Sequence, residues 1–143
     1  MKTHVLLALV AGLAAGFITP AFSQDEVTPE IRQKIEALNQ KLDEAINNHD
    51  PAGCAACCIA TAVVITPVGT FVGQQEIEKC YAGVFQRYPT ITQQVDKITH
   101  LYNFLSDLCG FTTYSNNVGG GMRNIIYTLE DDTWKIRVMV VKF

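Results

Sequence analysis

His100, Arg123, Tyr114, Tyr127 and a set of five cysteines are the residues of this chain whose types could do chemistry. His100 lies in the run Ile98, His100, Tyr102, Phe104, whose alternation could aim its ring at a cavity. An imidazole titrating near pH ~6.5 suits acid-base work near neutrality, although a lone histidine without a placed carboxylate is more often structural or exposed. Arg123 and Tyr127 share one strand face with Ile125, and a guanidinium there could clamp a carboxylate. Tyr114 and Asn116 close the preceding strand and could add polar groups at a pocket mouth; both tyrosines also read as ordinary sheet aromatics. His49, at the end of a helix, reads as a solvated cap residue.

Cys54, Cys57 and Cys58 contain a Cys-x-x-Cys, but their i, i+3, i+4 spacing also lets them fill a helix stripe as small hydrophobes. No second Cys or His pair with ligand spacing follows, so neither a metal nor a cofactor is expected. Five cysteines leave at least one unpaired. A bridge from the second helix, Cys57 to Cys80, is the preferred pairing, with Cys109 free.

That preference rests on the compartment. Lys2, the apolar run Val5 to Phe17, Pro20 and the small-residue exit Ala21-Phe22-Ser23 read as a secretory signal peptide over residues 1–23. The run is short for a membrane span of roughly 20 residues, so a secreted or periplasmic protein without a membrane partner is expected. Residues 24–143 are enough for one compact domain. Removing Lys2 leaves ten Lys plus Arg against fourteen Asp plus Glu, a formal charge of -4, with the cations scattered singly. Nucleic acid needs clustered cations and is not an expected partner.

The elements that must position these residues follow from caps and periodicity. Thr28, Pro29 and Glu30 open a helix on which Ile31, Ile35, Leu38, Leu42, Ala45 and Ile46 form one stripe. Arg32, Lys34, Glu36, Lys41, Asp43 and Glu44 take its other sides. Asp50-Pro51 restarts a second helix to about Ile59, Ala62 to Pro67 reads as a strand, and Thr70-Phe71-Val72 completes a hairpin. Gly73 releases a third helix, Gln74 to about Tyr88, which Pro89 stops. From Thr90 onward β-branched and aromatic residues dominate three or four extended runs, an α+β order with antiparallel strands. On the last run, Arg137, Met139, Val141 and Phe143 alternate with Ile136, Val138 and Val140. A strand apolar on both faces predicts that its outer side packs on a second subunit, a homodimer.

The stretch Asp50 to Gly73, DPAGCAACCIATAVVITPVGTFVG, joins a capped helix, a strand ending at Thr66 and the turn Pro67-Val68-Gly69, followed by a helix carrying Ile77 and Tyr81. It resembles the nuclear transport factor 2-like superfamily, and within it the ketosteroid-isomerase and SnoaL-like polyketide-cyclase branch. The resemblance runs from about Ile31 to the C-terminus. It implies a cone, a curved antiparallel sheet wrapped around three helices, with a pocket on the concave face. In that branch the chemistry sits on a helix-1 tyrosine, a strand aspartate before the Pro-x-Gly turn and a late acid; the matching positions here are Leu42, Thr66 and Ile125. A threonine cannot replace a carboxylate that shuttles a proton, and a leucine cannot donate to an oxyanion. Isomerisation by that mechanism is therefore not implied. Thr66 either hydrogen-bonds a ligand or bonds to backbone.

The resemblance implies a pocket shared by Leu42, Thr66, Tyr114, Arg123, Ile125, Tyr127, Met139 and Phe143. Three functions fit: a binding module for a small, largely apolar molecule; a dehydratase- or cyclase-type enzyme using His100 with Tyr114 or Tyr127; or an oligomeric association module whose pocket is filled by its own side chains.

Overall fold

The computed structural model describes residues 27–142, so the leader expected over residues 1–23 and the pocket position Phe143 lie outside the described residues. Helix α1, Pro29–Asn47, begins where Thr28 Oγ1 accepts from the Ile31 amide at 3.3 Å, with Pro29 in the first turn. The Asp50 carboxylate caps α2, Pro51–Ala56, by accepting from the Gly53 amide at 2.9 Å. These are the two cap-then-proline signals in the sequence, and each satisfies an amide left orphaned by the helix start. Strands β1, Cys58–Thr66, and β2, Gly69–Val72, form the hairpin, and α3, Gln74–Arg87, follows. Four long strands complete the chain: β3, Gln93–Phe104; β4, Asp107–Asn116; β5, Gly119–Glu130; and β6, Thr133–Lys142.

One six-stranded sheet runs in the order β2-β1-β6-β5-β4-β3. The expected all-antiparallel sheet is corrected in one place, because β1 and β6 pair in parallel. The three long hairpins β3 to β6 bring the last strand back beside β1, and the intervening α3 and hairpins provide the long crossover that a parallel neighbour requires. The second helix is also shorter than its cysteine spacing suggests. It ends at Ala56, and Cys58 opens β1, where the β-branched run that follows already favours extended backbone.

Cross-strand registers sort the side chains into two faces. On the concave face, rows such as Gly110–Ile125–Met139–Val64 and Thr112–Arg123–Val141 look onto the helices. On the convex face run His100–Phe111–Asn124–Val140–Ile65 and Tyr102–Cys109–Ile126–Val138–Val63. Register shifts interrupt β1/β6, β3/β4 and β5/β6. Such bulges bend and twist a sheet, and here they curl it around α1 and α3. The core lies in the hollow, where Ile35 and Leu42 of α1 and Ile77 of α3 meet Ile125, Tyr127, Ile136 and Met139 of the sheet.

One glycine makes room at the base of the hollow. A Cβ on Gly110 would lie 2.8 Å from the Tyr127 ring, which is fully buried and packed across that strand. Gly110→Ala must displace the ring, and the expected cost is about 1–3 kcal/mol of stability, read as a lower urea midpoint at unchanged slope.

Candidate functional site

The open end of the cone holds a cavity of about 110 Å³. Its apolar wall comes from Ile46 at the end of α1, Val64 of β1, Val84 and Phe85 of α3, Ile91 and Val141. Its polar groups come from strand ends that converge on the same opening: Thr66, Gln93, Tyr114, Asn116 and Arg123, with Cys80 and Tyr81 from α3. Three of the eight residues placed in a pocket by the sequence therefore line this cavity, namely Thr66, Tyr114 and Arg123. Leu42, Ile125, Tyr127 and Met139 do not line it; they lie deeper and are packed as core, at most 1% exposed.

Arg123, one of these lining residues, is held in a buried ion pair. Arg123 Nη2 donates to Asp43 Oδ1 at 3.0 Å, the two residues 5% and 2% exposed, and the Gln93 side-chain amide donates to the same carboxylate oxygen. Asp43 was expected on the outer sides of α1 and is corrected to the core. It continues the row Ile35, Asn39, Asp43, each one turn after the last, on the flank of the apolar stripe, and that flank meets the sheet. The row was visible in the sequence; what hid it was the assumption that an acid marks the solvent side. Asn39 is the second such polar group, and its Oδ1 accepts from the Tyr127 hydroxyl at 2.9 Å. Burial pushes the Tyr127 phenol above its ordinary range, so this hydroxyl stays a donor.

The pair leaves polar capacity unused. Among the described residues, Arg123 Nε, Asp43 Oδ2 and the Tyr114 hydroxyl are buried without a hydrogen-bond partner. The guanidinium lies over the Tyr114 ring, 5.1 Å from its centroid, so the two groups form one unit in the cavity wall. Gly121 lies opposite Tyr114 in the ladder, and a Cβ there would fall 2.9 Å from the Tyr114 hydroxyl. Thr66 is less available than its position suggests: its hydroxyl donates to the Gly69 carbonyl at 3.2 Å and accepts from the Val68 amide at 3.3 Å. This is the backbone-bonded alternative of the two read from sequence.

The rim is tied by side-chain amides. Asn47 bonds both the amide and the carbonyl of Gln93, and Asn117 bonds the Thr92 amide and the Thr90 carbonyl. His49 reaches the Ile91 carbonyl at 3.0 Å and packs on Phe85, so it is a rim residue and not a solvated cap.

His100 is not brought to the cavity. Ile98 pairs with Thr112 and His100 with Phe111, so two steps on β3 match one on β4, and this bulge turns His100 and Tyr102 to the convex face. The ring is exposed, edge-on to Phe111. Strand alternation holds only in an unbroken ladder, and the assumption fails here. Cys57 and Cys80 are likewise not paired: all five cysteines are free. Cys57 faces the groove between α1 and Trp134, whereas Cys80 faces the cavity from α3. No group of three or more His, Cys, Asp or Glu residues that could hold a metal occurs among the described residues.

No family model and no curated protein matches this sequence. Solved structures do. A domain of unknown function with a cystatin-like fold from Nostoc punctiforme superposes with a TM-score of 0.69 at 17% identity, over 80% of this chain and 78% of that one. A protein from Novosphingobium aromaticivorans assigned as a scytalone dehydratase gives 0.66 at 13% identity, over 78% and 82%. A domain from Xanthomonas campestris assigned as a calcium/calmodulin-dependent protein kinase II association domain gives 0.65 at 15%, over 81% and 89%. At these identities the likeness is one of fold.

Two outcomes follow from this geometry. Asp43→Ala strands a buried guanidinium and is expected to cost about 3–5 kcal/mol, measured by denaturant unfolding. Burial lifts the Cys58 thiol to about 12 and raises those of Cys54, Cys57 and Cys80, so none of these four is a thiolate at neutral pH. A chromogenic thiol reagent is expected to titrate five thiols in denaturant. In the native protein the half-buried Cys80 and Cys109 should react before the three buried ones; a denatured count of three would mean a disulfide.

Proposed function

We propose, from the nuclear transport factor 2-like fold that this chain has, that it is an exported domain which holds a small, largely apolar molecule in the cavity at the mouth of its cone. The observation that carries this reading is the composition of the cavity wall: apolar side chains from α1, α3, β1 and β6 surround a few polar groups that converge from strand ends, the usual make-up of a small-molecule site. The isomerase branch places its proton-transfer groups where this chain has Leu42, Thr66 and Ile125. None of the three is an acid, and His100 faces the other side of the sheet. Binding without that proton transfer is therefore the function that the side chains support. Export to a secreted or periplasmic location rests on the composition of residues 1–23.

Self-association is a second reading, carried by the convex face. Ile65 is 38% exposed, Val72 59% and Met122 50%, beside the half-buried Ile126, Val138 and Val140, all on one side of the sheet. Monomers rarely leave an apolar patch of this breadth uncovered, so we read it as the contact surface of a homodimer. The fold likeness to a domain assigned as an association domain agrees with this, and a dimer leaves the cavity mouth free.

Native mass spectrometry of the protein purified from its own host tests these readings together. The expected spectrum is a dimer whose subunit begins at Gln24 and carries a copurified small molecule that is released on denaturation. A protein free of any ligand that also takes up none when offered a library of small apolar compounds would overturn the binding reading, and a monomer at micromolar concentration would overturn the dimer.

A further inference from the structure

The cavity wall carries a charge arrangement that bears on which molecules can enter. Arg123 offers the only guanidinium among its lining residues, and it is already paired with Asp43 at 3.0 Å. Both partners are almost fully removed from water, so the pair is close to neutral as seen from the cavity. A carboxylate entering beside it would put a second anion near Asp43 with one cation to share. Burying an anion without its own counter-charge is costly. A neutral oxygen adds no charge. Tyr114 and Arg123 both line the cavity, and each carries a buried donor that lacks a partner among the described residues, the Tyr114 hydroxyl and Arg123 Nε. Unsatisfied buried donors reward an acceptor that reaches them, because each otherwise bears the penalty of desolvation.

We infer that the cavity selects compact neutral molecules carrying one carbonyl or hydroxyl oxygen on an apolar body, that Tyr114 and Arg123 receive the oxygen, and that Asp43 excludes carboxylates by holding the guanidinium already neutralised. The inference rests on the reading of this cavity as a ligand site, and it replaces the carboxylate clamp that Arg123 suggests when read without its partner. The size limit follows from the volume of about 110 Å³. An apolar cavity of roughly 150 Å³ takes a benzene ring, so the fully buried part of the ligand is on the order of four or five heavy atoms, and the rest of a larger ligand extends into the mouth. The apolar body packs against Val64, Val84, Phe85, Ile91 and Val141, and the oxygen points toward the strand ends. Asp43 is a positioning residue here: it does not line the cavity but fixes the charge and direction of a group that does.

Three probes of equal size test this on the mature protein at pH 7 by ligand-observed NMR titration: cyclobutyl methyl ketone, cyclobutanecarboxylate and isopropylcyclobutane. The expected order in the wild type is ketone first, with the carboxylate at least tenfold weaker. Tyr114→Phe, which keeps the ring under the guanidinium, should weaken the ketone several-fold and leave the hydrocarbon unchanged. Asp43→Asn should raise carboxylate affinity at least tenfold by freeing the guanidinium. If none of the three probes binds, the ligand-site reading itself fails. If hydrocarbon and ketone bind alike and Tyr114→Phe changes neither, the cavity binds but the polar selection is wrong. A wild type that prefers the carboxylate overturns the inference outright. Should Asp43→Asn fail to fold, the wild-type order and the Tyr114→Phe comparison still decide.

Discussion

A carboxylate on the first helix and a guanidinium on the fifth strand, 80 residues apart in sequence, meet inside this fold at 3.0 Å. The Asp43–Arg123 pair is the constraint on which the concave side depends. Two charges removed from water bring no large net stability, since their desolvation offsets most of their attraction. What they impose is geometry: a helix that rotated or slid on the sheet would leave both charges buried and alone. Gln93 joins the same carboxylate oxygen from the first long strand, and the Asn39–Tyr127 bond repeats the arrangement one turn earlier on α1. The apolar stripe of Ile35, Leu42 and Ile46 turns one side of α1 to the sheet, and the polar ties fix where along the sheet it rests.

Much of the architecture was legible because it is written locally. Thr28-Pro29 and Asp50-Pro51 open helices by supplying an acceptor for the first free amides, and Pro89 closes α3. The stretch from Asp50 to Gly73 carried enough of this local chemistry to suggest the superfamily, and the superposed structures agree on the fold. The errors have a common physical origin: each involves a choice made by tertiary contacts. Whether β1 meets β6 in parallel depends on where three hairpins deliver the last strand, which no local signal states. Whether Asp43 faces water or Arg123 depends on a residue far along the chain.

The candidate site was legible in part for the same reason. Tyr114 sits near the end of β4, where position along the strand is enough to place it at the open end of a cone; Arg123 was read from the face it shares with Ile125, and Thr66 from the resemblance. His100 depended on unbroken alternation, and one bulge reversed it. Cys57, which follows the end of α2, and Cys80 of α3 line different recesses, the groove beside Trp134 and the cavity, which helical spacing alone does not disclose. Leu42, Ile125, Tyr127 and Met139 were read onto the correct face but not at the correct depth, because side-chain volumes fill the narrow end of the cone before the cavity begins.

The segment from Thr90 to Gln93 forms one side of the cavity mouth, and Asn47, His49 and Asn117 secure it through side-chain bonds beyond the ladder of β3 and β4. Gln93 also pairs with Asn116 at the start of the β3–β4 ladder, so one end of this threshold belongs to the sheet, while Thr90 to Thr92 are held by turn and side-chain bonds outside it. The doorway is thereby fixed to the frame at one jamb and held at the other by a few amide contacts, so its width is set from outside the ladder as well as from within it.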